Sequence, residues 1–150
     1  MGIYRSEQST YETAGYKKKL KEIAENIVDT DKLAQLVAQA ALDKKALDLV
    51  VIDVRGRSSY TDILVLASGT SDRHVEAIAQ GAAGELKKEH DHPALGSEGL
   101  REGQWALVDF GDVILHVFHQ FTRDVYCLEE LWADAPRIEV VDSAPALPPA

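Results

Sequence analysis

Residues 98–118 read EGLREGQWALVDFGDVILHVF, and within them the apolar runs Trp105–Phe110 and Val113–Phe118 are split by Gly111-Asp112. β-Branched and aromatic residues on either side of a turn that glycine permits are the signature of a β-hairpin. With the turn centred on Phe110-Gly111, Asp109 faces Asp112, Leu107 faces Ile114 and Trp105 faces His116. Alternation then puts Trp105, Leu107, Asp109, Asp112, Ile114, His116 and Phe118 on one side of the hairpin. Ala106, Val108, Val113, Leu115 and Val117 take the other. Both sides are largely apolar, which predicts a hairpin inside a sheet covered on both faces. The polar exceptions, Asp109, Asp112, His116 and His119, are the first candidates for chemistry.

Upstream of the hairpin, Leu47–Arg55 reads as a first strand and Asp62–Ala67 as a second. The short Gly56-Arg57-Ser58-Ser59 connection implies that they pair antiparallel. Val75, Ile78, Ala79, Ala82, Ala83 and Leu86 fall at helical spacing, predicting a helix over 72–89 with Ser71 as its N-cap. Pro93 forbids its continuation, and a loop leads to Gln104. Before the first strand, a helix starting at Thr30-Asp31 carries Leu33, Leu36, Val37, Ala40 and Ala41 on one stripe. A further helix is expected from Lys17, with Leu20, Ile23, Ala24 and Ile27 on its face, inside an N-terminal extension of residues 1–30. After the hairpin, Thr122 is expected to cap a short helix carrying Val125, Leu128, Leu131 and Trp132 on one side. Ile138–Val141 is a candidate edge strand, and residues 143–150, SAPALPPA, form a flexible tail with no core-forming pattern. The order predicts one α/β domain over 31–142, with a mixed four- to five-stranded sheet flanked by helices.

The chain has 150 residues, 45% hydrophobic and 27% charged, enough for one ordinary core. Its single cysteine, Cys127, excludes an intrachain disulfide and a cysteine-rich zinc site, in keeping with a reducing cytosol. No apolar run reaches membrane-spanning length, and no basic-then-apolar leader opens the sequence. Net charge is −9, and −7 of it lies between Glu98 and Asp142. Such a segment repels nucleic-acid phosphate and attracts a basic partner.

Specific catalytic signatures are missing. Ser68-Gly69-Thr70-Ser71 lies between a strand and a helix, where backbone N–H groups can hold phosphate, but neither GxGxxG nor GxxxxGK[ST] is present. A capped strand-to-helix turn accounts for it more simply. Asp109, Asp112, His116 and His119 do not make a metal site, because His116 and His119 point to opposite faces of a strand. Asp109 and Asp112 flank a turn, where aspartate commonly bonds the backbone. Ser58-Ser59 lack a nucleophile elbow, and Cys127 sits among helical apolar residues. Trp105, and Tyr126 to Trp132 with Glu129 and Glu130 between them, suit an interface gripping a basic protein. Core packing is the alternative for both tryptophans.

Taken together, these blocks resemble the ribosomal silencing factor family (RsfS, or Iojap). The matching pieces are Asp48–Val54, Ser58–Asp62, Ala67–Val75, Glu98-Gly99, Trp105, Val108–Val113, His116–Phe118, Arg123, and Tyr126-x-Leu128-Glu129-x-Leu131-Trp132, spanning about 31–135. The resemblance implies a nucleotidyltransferase-like fold without the catalytic carboxylates, no enzyme activity, and neither cofactor nor metal. It implies binding to ribosomal protein L-fourteen (uL-fourteen) on the large ribosomal subunit. It also implies a steric block of small-subunit joining, repression of translation under nutrient limitation, a part in large-subunit maturation, a cytoplasmic location and homodimers in isolation. Carried onto this sequence, the partner-binding residues are Trp105, Asp109, Asp112, His116, Tyr126, Glu129 and Trp132, while Ser71, Arg73 and His74 order the helix start. The competing reading is a nucleotide-binding or nucleotidyltransferase-like enzyme using Ser68–Ser71 with Asp109 and Asp112.

Overall fold

The computed structural model describes residues 15, 17, 18, 30–99 and 104–141. Residues 30–43 form helix α1. Strands β1 (Leu47–Asp53) and β2 (Ile63–Gly69) follow, then helix α2 (Asp72–His90) and strands β3 (Gly96–Glu98), β4 (Trp105–Asp109) and β5 (Val113–His119). Short helices α3 (Gln120–Tyr126) and α4 (Leu128–Leu131) and strand β6 (Arg137–Ile138) complete the fold. The helix expected from Lys17 lies outside the described residues, except that Gly15, Lys17 and Lys18 are helical; the 143–150 tail also lies outside them. No helix among the described residues is long and apolar enough to cross a membrane.

The sheet has six strands in the order β3-β4-β5-β2-β1-β6. β5 and β2 run parallel at its centre, and every other neighbouring pair is antiparallel, including β1 with β2 as expected. Both central strands are buried along almost their whole length. On one face Val113, Leu115 and Val117 of β5 meet α1 and α2 through Leu33, Val37, Ala41, Val75, Ile78 and Leu86. On the other face Ile114 and Phe118 join Ile52, Leu64, Leu66 and Ala135, with Trp105, Leu107, Leu128 and Trp132 partly buried against them. Alternation along β4 and β5 therefore has the parity read from sequence.

The hairpin register differs from the expected one. Asp109 pairs with Ile114, Leu107 with His116 and Trp105 with Phe118. The loop is Gly111-Asp112, closed by the Phe110 N–H donating to the Val113 carbonyl at 2.9 Å. Gly111 takes φ +96° at the first loop position, which favours glycine. Its N–H donates to Asp109 Oδ1 at 2.7 Å. The turn thus centres one residue later than expected, which moves every partner by two and leaves each side chain on the face assigned to it.

Three further differences have local causes. β3 occupies a stretch expected to be loop, because exposed Gly-Ser-Glu carries no β-branched or aromatic residue to announce its backbone pairing with β4. The helix expected to start at Thr122 starts at Gln120, capped by His119, whose side chain accepts from the Phe121 N–H; Thr122 instead donates its hydroxyl to Gln104 Oε1 at 2.7 Å. That helix is also broken, because Cys127 adopts φ +49° and its N–H closes the turn onto the Arg123 carbonyl. The break rotates Leu128 and Trp132 onto the sheet while Val125 and Leu131 face solvent. The Ser71 cap is present, its hydroxyl accepting from the His74 N–H at 3.0 Å.

Two leucines separate core from surface in this arrangement. Leu115 is fully buried and Leu131 is 69% exposed. Leu115→Ala is expected to lower unfolding free energy by about 2–5 kcal/mol, and Leu131→Ala by less than about 0.5 kcal/mol. Urea titration checks both; comparable losses would mean that α4 is packed rather than open.

Candidate functional site

The second face of the sheet is where the sequence-predicted residues gather. Trp105 opens β4, and its indole stacks on Phe118 of the neighbouring strand with centroids 5.1 Å apart and planes at 27°. Tyr126, from the end of α3, packs on the same indole at 4.5 Å and on Phe118 at 6.1 Å. His116 lies 5.8 Å from the indole and 6.2 Å from Phe118, ring to ring. These four rings form one aromatic cluster reaching from the buried strand to a half-exposed tyrosine, Tyr126.

His116 is the polar member at the bottom. The Trp105 indole N–H donates to its Nδ1 at 3.0 Å. A buried indole N–H ordinarily finds such a partner. Its Nε2 is buried and has no partner among the described residues, and neither does the buried Trp132 indole nitrogen. Burial lowers the His116 pKa from 6.5 to about 4, so the imidazole is neutral near pH 7.

α3 is held over this face by Arg123, itself buried. Its guanidinium donates to the Asp48 carbonyl at 2.6 Å, to Ser68 Oγ at 2.8 Å and to Glu129 Oε1 at 2.8 Å. Glu129 also lies 3.7 Å from Arg137. Glu129, expected at a partner surface, is therefore engaged in tying α4 to α3. Trp132 packs against the second face beside Leu128.

Asp109 and Asp112 are not brought into the aromatic cluster. They sit at the hairpin turn, about 13 Å along the strand from Trp105 at roughly 3.3 Å per residue. Asp109 bonds the Gly111 N–H, and the Asp112 carbonyl accepts from Asp62 and Ile63. Three groups of the Ser68–Ser71 turn are engaged within the fold: Ser68 Oγ with Arg123, the Thr70 N–H with His74 Nδ1 at 2.9 Å, and Ser71 Oγ with the helix start. Among the described residues no group of three or more His, Cys, Asp or Glu is placed to hold a metal ion.

The surface contains residues that the sequence reading placed elsewhere or passed over. Phe121 and Val125, one helical turn apart on α3, are each 76% exposed, as Leu131 is to nearly the same degree on α4. Asp124, Glu130 and Asp134 in the same segment are also exposed. Spacing of Phe121 and Val125 around an inward Arg123 was the available signal. It could not be read before the start and the break of the helix were known.

A small α/β domain with one helix-covered sheet face and one face covered by short helices, with an aromatic cluster and an acidic segment over it, is the class of molecule these features define. Residues 27–149 match the family described as "Ribosomal silencing factor during starvation". The chain belongs to the ribosomal silencing factor family. It is 40% identical over 107 residues to the ribosomal silencing factor RsfS of Bacillus subtilis, covering 69% of this chain and 87% of that one. It is 34% identical over 136 residues to the mouse protein named "Mitochondrial assembly of ribosomal large subunit protein 1", covering 87% of this chain and 58% of that one. A crystal structure of a Chromobacterium violaceum protein superposes with a TM-score of 0.67 at 34% identity, covering 76% of this chain and 94% of that one.

The buried imidazole gives stability a pH dependence with a definite sign. The unfolded chain takes up a proton at His116 near pH 6.5, which the folded state refuses down to about pH 4. This contribution is complete above pH 6.5 and is lost as pH falls toward 4, with a slope of at most about 1.4 kcal/mol per pH unit. His116→Leu is expected to flatten the acid limb. Urea titrations of both proteins at pH 7 and pH 5 isolate the difference, and equal slopes would place His116 in contact with solvent.

Proposed function

We propose that this chain silences ribosomes by docking its open aromatic face on a basic protein of the large subunit, ribosomal protein L-fourteen, and so obstructing the small subunit. The observation that carries this reading is an apolar surface on an acidic molecule. In the segment Phe121–Asp134, Phe121, Val125 and Leu131 stand exposed and Tyr126 half exposed, and Asp124, Glu130 and Asp134 of the same segment are exposed. Apolar anchors supply affinity, and the acids of the segment supply attraction and orientation toward a positively charged protein. Membership of the silencing factor family supports the ribosome as the target. The block is steric: a bound domain with net charge −9 occupies space and repels an incoming RNA surface. No bond in any substrate is made or broken, and the site of action is the cytoplasm. Residues 31–142 carry the activity, residues 1–30 are an extension, and free molecules pair as homodimers.

A second reading is favoured by one observation. The mouse relative, matched over 87% of this chain, is named for assembly of the mitochondrial ribosomal large subunit. A contribution to large-subunit maturation uses the same docking surface at an earlier stage. Fractionation of growing and starved cells separates the two, because a silencing factor accumulates on mature free large subunits under starvation.

Saturating protein is expected to shift purified subunits from joined ribosomes to free halves in a sucrose gradient. The double variant Phe121→Ala/Tyr126→Ala is expected to weaken large-subunit binding by about 2 kcal/mol or more, roughly 30-fold, with an unchanged circular dichroism spectrum. Subunits that still pair at saturation would overturn the steric reading. Undiminished affinity of the double variant would move the interface elsewhere.

A further inference from the structure

We propose that His116 is the positioning residue of the docking surface: through Nδ1 it locks the Trp105 indole in the orientation that presents Tyr126 to the partner. The proposal rests on the function proposed above and adds the residue that sets its affinity. His116 is only 5% exposed and lies in the sheet between Leu66 and Leu107. An apolar side chain fills such a position without desolvating a polar ring. The imidazole instead spends one nitrogen on the Trp105 indole at 3.0 Å and leaves Nε2 without a partner among the described residues.

The consequence of that bond is outward. The indole is fixed along three directions, by Phe118 beneath it, by His116 at its nitrogen and by Tyr126 packed on it at 4.5 Å. Only Tyr126 of this group is half exposed, so the orientation of the indole decides where the exposed ring stands. Accepting at Nδ1 requires that ring nitrogen to be unprotonated, which places the proton of the neutral ring on Nε2. The burial that disfavours imidazolium keeps this acceptor available near neutral pH. Without it, the indole N–H must turn toward water to find a partner, and Tyr126 loses its support. His116 never touches the partner; it acts through Trp105.

Two substitutions separate positioning from space filling. His116→Asn keeps an acceptor oxygen near the place of Nδ1, whereas His116→Phe keeps an aromatic ring and removes the acceptor. Binding to salt-washed large ribosomal subunits is measured together with the indole N–H resonance of Trp105. His116→Phe is expected to bind at least tenfold more weakly while melting no earlier than the parent, with the Trp105 resonance shifted and exchanging faster with water. His116→Asn is expected to stay within threefold of the parent and to retain the protected resonance. Parental affinity in His116→Phe overturns the proposal, as does an equal loss in both variants. Should His116→Phe not fold, Trp105→Phe removes the donor instead and is expected to show the same tenfold loss; parental affinity there also overturns it. Tyr126→Ala serves as the control for the surface itself. If it weakens binding while His116→Phe does not, only the positioning role is lost; if it binds as the parent does, the docking surface is lost and this proposal with it.

Discussion

Strand β5 must be buried on both of its faces, and the rest of the molecule answers that requirement unequally. Val113, Leu115 and Val117 on one side, and Ile114 and Phe118 on the other, leave almost nothing of the strand in water. One side receives α1 and the 19-residue α2, each long enough to lay a continuous apolar stripe on the sheet. The other receives α3 and α4, of seven and four residues. Helices that short cannot turn all of their apolar residues inward. Leu128 goes to the sheet, and Phe121, Val125 and Leu131 remain outside. The open aromatic surface is therefore a consequence of how thinly the second face is covered.

What keeps so thin a cover in place is a buried cation. Arg123 reaches from α3 to the Asp48 carbonyl, to Ser68 at the end of β2 and to Glu129 in α4. Asp48 adopts φ +48° beside an irregularity in the β1–β2 register, in the left-handed region that aspartate tolerates better than most residues. Glu129 is 33% exposed, so solvent screens its side of the pair, while the Arg123 guanidinium, mostly buried, depends on these acceptors. Glu129 is thereby spent within the fold. The acids left to a partner are the exposed ones in the same segment as the apolar residues: Asp124, Glu130 and Asp134.

Much of this was legible in the sequence, and the limits have physical reasons. Strand identity and side-chain parity in β4 and β5 could be read because alternation survives a register shift of two; the register itself depended on which residue takes positive φ in the turn. β3 was silent because its pairing is made by backbone atoms, with no side-chain preference to announce it. The left-handed Cys127 was equally silent, as a non-glycine residue carries no sign of it. That one residue redirects the following segment, so apolar residues expected on one side divide between core and solvent. The aromatic part of the candidate site, Trp105, His116 and Tyr126, was foreseen as residues and not as a stack. Asp109 and Asp112 share the sheet face or its turn with them, but Asp109 already stands four positions along extended strand from Trp105, a spacing that grouping residues by face alone does not weigh.

The composition of the open face favours one kind of partner over another. Exposed aromatics serve protein interfaces and, equally, stack on unpaired bases in single-stranded nucleic acid. Base stacking needs a cationic groove along the phosphates to hold the strand. Here the arginine closest in sequence to the exposed rings is Arg123, and it is buried with its donors directed into the protein. The exposed charges next in sequence to Val125 and Leu131 are the carboxylates Asp124 and Glu130. Two exposed arginines border the segment, Arg137 beside Glu129 and Arg57 on the Asp134 carbonyl. The segment from Glu98 to Asp142 nevertheless carries a net charge of −7. That charge repels a phosphate chain at the range where steering acts and attracts lysine- and arginine-rich protein over the same distance. On the proposed function, charge favours a basic protein during approach, and the apolar residues hold it after contact.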